Sequence, residues 1–125
     1  MDDQAILNIV RIGLTQLMDN LGNLNIDANG NGQGRRLPNY NMYRNEFIAA
    51  MNAVRIISER HGFNIEWGDE LERAFGVVHG EPLAHTFAYI RSAIHKIDVM
   101  PIINQAELRQ LNRYIENAME AMPNF

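Results

Sequence analysis

No cysteine occurs in this chain of 125 residues, so a disulfide framework, a thiolate metal site and a cysteine nucleophile are all excluded. The absence fits a reducing compartment, and a cytoplasmic location, of the producing cell or of a host, is the expectation. Lysine is nearly missing as well: Lys96 stands alone against ten arginines. Arginine favours bidentate recognition of carboxylate or phosphate where lysine acts as a point charge, although genome composition explains the bias equally well. No apolar run approaches the roughly 18 residues that a bilayer span needs, so no membrane segment is expected. The chain opens on Met1-Asp2-Asp3, two acids where a secretory signal would carry basic residues. Charge of one sign is not in excess either. A net charge of −4 argues against bulk nucleic-acid binding and leaves room only for a local basic patch.

What remains is an ordinary globular composition, 46% apolar and 21% charged, in a length that suits one domain over residues 1–125. The apolar residues recur at helical spacing. Ile6, Ile9, Val10, Leu14, Leu17, Met18 and Leu21 form one broad face behind a cap at Asp2 or Asp3, with Gly22 at the C-terminal cap. A second helix is predicted from near Asn41 to His61, with Phe47, Met51, Val54 and Ile57 inward, Ile48 and Ala50 flanking, and Ser58 at the edge of the stripe. Gly62 and Phe63 suit its ending. A brief helix is expected from Asp69 to Phe75. Pro82 fits the first position of the next, whose Leu83, Phe87, Ile90, Ile94 and Ile97 face inward. After Pro101, Asn104 with Glu107 makes a capping-box start for a last helix bearing Leu108, Leu111, Ile115, Ala118, Met119 and Met122. No period-two alternation of useful length occurs. The reading is an all-α, single-domain bundle of four to five helices with one long loop.

That loop, Gly22 to Asn41, is rich in glycine and asparagine, and a structureless connection of about 20 residues is uncommon inside a compact domain. Asp27, Asn29 and Asn31 match positions 1, 3 and 5 of a calcium-loop template, with Gly32 at position 6. Pro38 stands where the bidentate glutamate belongs, so a turn-forming polar loop is the preferred reading and a degenerate calcium site the alternative. Gly30, Asn31, Gly32, Gln33 and Gly34, followed by Arg35 and Arg36, can converge backbone N–H groups and guanidinium groups on a phosphate or nucleotide. Arg35, Arg36, Tyr40, Tyr43 and Arg44 interleave cations with aromatics, as single-strand binders do; a solvated loop with two tyrosines tucked onto the helices is the preferred account. His85, Tyr89, Ser92 and Lys96 share one helix face. Their spacing is not that of a metal pair, and a polar face is the expected reading. His95, His61 and His79 stand off that row.

The stretch Asn25-Ile26-Asp27-Ala28-Asn29-Gly30-Asn31-Gly32-Gln33-Gly34-Arg35-Arg36 resembles the signature H-P-F-x-[DE]-G-N-G-R-x-x-R of the Fic/Doc family at Gly30, Asn31, Gly32 and Arg36. Glu46-Phe47, the segment His61 to Trp67, and Gly80-Glu81-Pro82-Leu83 resemble regions that follow that signature. The resemblance covers residues 21–97 discontinuously. It implies a helical fold and, in many members, transfer of AMP from ATP to a target hydroxyl. The departures imply loss of that reaction. Asn25 takes the place of the general-base histidine, and an amide has no useful pKa; Asn29 replaces an acid that helps hold magnesium, and Gln33 the first phosphate-binding arginine. Leu37 to Tyr43 reads as an insertion ahead of the following helix.

No catalytic residue is therefore assigned, and no cofactor follows from the sequence. The expected function is that of a non-catalytic binding or interaction module. Its partner is another protein (as an inhibitor, adaptor or assembly subunit would have) or a phosphate or nucleotide held by Gly30, Asn31, Gly32, Arg35 and Arg36. Met119 and Met122 beside Phe125 offer a candidate surface for self-association into a homo-oligomer.

Overall fold

The computed structural model describes residues 2–24, 34, 36–60, 83–100 and 102–123. Among these, four helices and no β-strand are formed: α1 (Asp3–Gly22), α2 (Tyr40–Arg60), α3 (Ala84–Val99) and α4 (Gln105–Glu120). The predicted Asp69–Phe75 helix and the Gly62–Phe63 ending lie outside the described residues.

Three of the four helices start for a local reason. Asp2 caps α1, its carboxylate accepting from the Ala5 N–H at 2.7 Å, and Asp3 adds negative charge at the positive helix end. Helix α2 follows Asn39, which sits in the left-handed region at φ 58°, a conformation that asparagine tolerates better than most residues. The Asn39 carbonyl then accepts from the Tyr43 N–H at 3.1 Å. Helix α4 carries the full capping box: the Glu107 N–H donates to Asn104 Oδ1 at 2.9 Å, and the Asn104 N–H to Glu107 Oε1 at 3.2 Å.

Inward faces repeat at three and four residues. They are Leu7, Val10, Leu14, Leu17 and Leu21 on α1, Phe47, Met51, Val54 and Ile57 on α2, Phe87, Ile90, Ala93, Ile94 and Ile97 on α3, and Leu108, Leu111, Ile115 and Ala118 on α4. This spacing gives helices a straight seam and suits bundle packing. Helices α1–α2, α2–α3, α3–α4 and α4–α1 are the packed pairs, so the four close a ring around one core. The pairs are antiparallel. Arg60 at the end of α2 reaches Asp3 at the start of α1 (2.9 Å), and Arg44 early in α2 reaches Asp98 late in α3 (3.0 Å). Thr86 Oγ1 donates to the Ala118 carbonyl at 2.9 Å while Lys96 Nζ donates to Gln110 Oε1 at 2.8 Å. Asn112 Nδ2 donates to the Met18 carbonyl at 3.3 Å. The result is an up-down-up-down four-helix bundle.

Five sequence expectations are corrected. Gly22 is the last helical residue of α1 rather than a left-handed cap; Asn23 caps the helix in right-handed geometry, its N–H bonded to the Asp19 and Leu21 carbonyls. Ile9 is 55% exposed, because the seam runs through Leu7 and Val10 and leaves Ile9 on the outer side. Ser58 is fully buried, since it lies four residues past Val54 and so falls on the α2 seam; its hydroxyl has no partner among the described residues. Helix α3 begins at Ala84 with Leu83 at its boundary, two residues later than expected, and Pro82 lies outside the described residues. Leu83 holds φ 74° with a side chain only 2% exposed, so burial offsets an unfavourable backbone state. Met122 is buried in the core and Met119 is half-buried, accepting from Thr15 Oγ1 of α1 at 3.4 Å, so this pair is largely turned inward; Phe125 lies outside the described residues.

Candidate functional site

Two places on the bundle combine chemistry with access. The first is the end where the long loop returns. Its descending half is anchored. Gly34 has φ 75°, and a Cβ there would lie 2.3 Å from the Ile103 carbonyl oxygen and 2.7 Å from the Asn104 nitrogen. Only glycine fits both the backbone and the approach. Three residues on, Leu37 is buried in the core, and Pro38 and Asn39 turn the chain into α2.

Between these anchors Arg36 is exposed. It lines a pocket of about 140 Å³ with Leu37, Tyr40, Ile97, Asp98 and Met100. Two of these lining residues, Tyr40 and Asp98, belong to a polar triad with Arg44. The Tyr40 hydroxyl donates to Asp98 Oδ1, and Arg44 Nε donates to both Asp98 oxygens at 3.0 and 3.3 Å. Partial burial pushes the Asp98 carboxyl up, but the Arg44 and Tyr40 hydrogen bonds, with the Arg44 and His95 charges, outweigh it and hold the carboxyl below its usual range. The same carboxylate raises the Tyr40 hydroxyl, chiefly through the hydrogen bond, and raises Arg44 likewise. Asp98 thus compensates Arg44, whereas Arg36 forms no ion pair among the described residues.

Of the residues expected to hold a phosphate, only Arg36 is placed at this pocket. Gly30, Asn31, Gly32 and Arg35, and the candidate cation ligands Asp27, Asn29 and Asn31, lie outside the described residues. The Arg–Tyr group is resolved into separate roles. Tyr43 is buried, its hydroxyl pKa raised by desolvation, while Tyr40 and Arg44 are engaged with Asp98. The row on α3 is spent on structure. Ser92 Oγ donates within its own helix to the Ala88 carbonyl at 2.9 Å, and Lys96 bonds Gln110 of α4, whose amide donates to the Tyr114 hydroxyl at 3.1 Å. No group of three His, Asp or Glu side chains is placed to hold a metal among the described residues. No helix among them is long and apolar enough to cross a membrane.

The second place was not singled out by the sequence. Gly13 on α1 and Ala49 and Ala53 on α2 have too little side chain to fill the line between their helices, and an apolar cleft of about 240 Å³ opens there. Ile6 and Ile9 form one bank, and among the described residues Glu46 is the only charged one lining it. Ile9 on that bank is 55% exposed; Ile56 on α2 (44%) and Ile12 on the outer side of α1 (60%) are exposed beyond the cleft. A second period on each helix was the available signal: Ile9 and Ile12, and Ala49, Ala53 and Ile56, stand off the buried seams yet are apolar. Comparison with protein-family models, curated proteins and solved structures finds nothing that matches this chain.

Proposed function

We propose that this chain is a non-catalytic helical interaction module that binds another protein through the α1–α2 face. The observation that carries the reading is an apolar cleft between α1 and α2 with the exposed Ile9 on its bank and the exposed Ile56 further along α2. Single exposed apolar residues are normal on a protein surface, but branched aliphatics gathered around a cleft are the usual mark of an interaction site. A photo-crosslinking side chain at Ile9 is expected to give adducts in the native cell, and one at the exposed Glu116 of α4 to give none. Equal adduct yield at the two positions would sink the reading.

A second reading rests on Arg36. Its guanidinium is free of ion pairs among the described residues and faces a pocket in a loop that resembles a Fic-type phosphate cradle. On this reading the loop is a phosphate- or nucleotide-binding remnant. Ligand bound only by the native state raises the melting temperature. ATP or pyrophosphate should therefore stabilise the protein and fail to stabilise Arg36→Ala; no shift at millimolar ligand removes this reading.

A further inference from the structure

The partner that the α1–α2 face fits best is a second copy of this chain, an inference that rests on the interaction reading above. The outer stripe of α2 reads Met42, Glu46, Ala49, Ala53, Ile56 and Arg60, at spacings of four, three, four, three and four. That is the seam spacing of a helix that packs against another helix. It is distinct from the buried seam of Phe47, Met51, Val54 and Ser58, about a third of a turn away around the helix. Five of its six residues are exposed and Ala53 is half-exposed, so α2 carries two seams and the bundle uses one.

We propose that α2 of one copy packs antiparallel on α2 of another, about a twofold axis at Ala53. A twofold contact must be self-complementary, with each patch meeting itself reversed. Reversal about Ala53 places Glu46 against Arg60 of the second copy and Arg60 against its Glu46. The same reversal sets Ile56 beside Ala49, a large side chain against a small one, and leaves two alanines at the axis, where the helices can approach closely.

The charges support this pairing. Glu46 has no ion pair among the described residues, and Arg60 uses one nitrogen for Asp3 while its side chain is 50% exposed; an arginine fork carries five N–H donors. The α1 bank agrees with the same axis. Ile9 lines the cleft with Ala49 and Ala53, and the Arg60–Asp3 pair fixes the antiparallel register of α1 on α2. Ile9 therefore lies level with Ala53 and, one from each copy, extends the apolar contact on either side of the axis.

Sedimentation of the full chain across a concentration series tests this. The wild type is expected to dimerise. Glu46→Arg sets like charges opposite each other and should weaken the dimer at least about ten-fold, whereas Glu46→Arg with Arg60→Glu restores opposite charges and should recover most of that loss. Far-UV circular dichroism and melting of each variant establish that the bundle is folded, since Arg60→Glu also confronts Asp3. A dimer indifferent to Glu46→Arg, or a double variant no tighter than the single, overturns the proposal. So does a monomeric wild type at the highest soluble concentration. If that monomer still gives Ile9 adducts to a different protein, the interaction reading stands without the dimer; if it gives none, both fall.

Discussion

Asp98 shows how one side chain can organise the loop-bearing end of the bundle. It stands at the end of α3, where the Tyr40 hydroxyl and the Arg44 guanidinium meet it from the first turns of α2. Its depressed pKa makes the contact dependent on pH. A carboxyl whose folded pKa lies below its unfolded value, about 4, contributes stability above that unfolded value and loses it as pH falls through the folded one. The group is partly exposed, so its contribution is about 1 kcal/mol or less at neutral pH. Urea denaturation should find Asp98→Asn less stable than wild type at pH 7, with the gap closing by about pH 2. A gap that persists in acid would mean that shape, not charge, is what the residue supplies. Nothing in the sequence marked Asp98, because its partners come from a helix more than fifty positions earlier.

At the scale of single elements, the helices follow from local rules and their boundaries only partly do. The Asn104–Glu107 box was legible as a spacing of three, and both of its hydrogen bonds are formed. Asn104→Ala leaves N–H groups of the first turn without a partner and should cost about 1 kcal/mol, read as a lower denaturation midpoint with an unchanged urea slope. Helix α3 obeyed no such rule. Its boundary residue is a leucine in the left-handed region, which no propensity favours, held there by a core position that needs a large apolar side chain. The Gly22 expectation failed for a related reason: Asn23 already satisfies the free carbonyls in right-handed geometry, so a left-handed cap was unnecessary. On the loop, glycine richness alone suggested a phosphate cradle. At Gly34 the structural use is different, because the glycine is required for contact with the Ile103 backbone.

At the scale of the molecule, one core links all four helices, and Phe47 and Phe87 are its largest fully buried side chains. A single cooperative unfolding transition is expected for such a bundle. Phe47→Ala should lower its free energy by about 3–5 kcal/mol, the lost burial adding to the cavity left behind. Circular dichroism and the amide NMR signals of the four helices through one denaturant series should still coincide in wild type; separate midpoints would mean that part of the bundle unfolds on its own. The ring of antiparallel pairs also fixes where function can sit. It gathers the ends of α1 and α3 with the starts of α2 and α4 at one pole, where Arg36 and the Asp98 triad are found, and leaves the α1–α2 face as an apolar flank.

Composition and periodicity by themselves determined the all-α bundle, most of the inward faces, the capping box and the absence of cysteine chemistry, because each depends on residues within a turn or two of one another. Periodicity could not distinguish the seam that a helix buries in its own core from a seam that stays outside. Both have the same spacing, so Ile9 was assigned inward and the Met42–Arg60 stripe passed unnoticed. Only the packed structure decided which apolar residues were left at the surface, since the core has room for one face of each helix. It also decided that Arg44 has its counter-charge in Asp98, which lies far away in sequence, while Arg36 has none among the described residues.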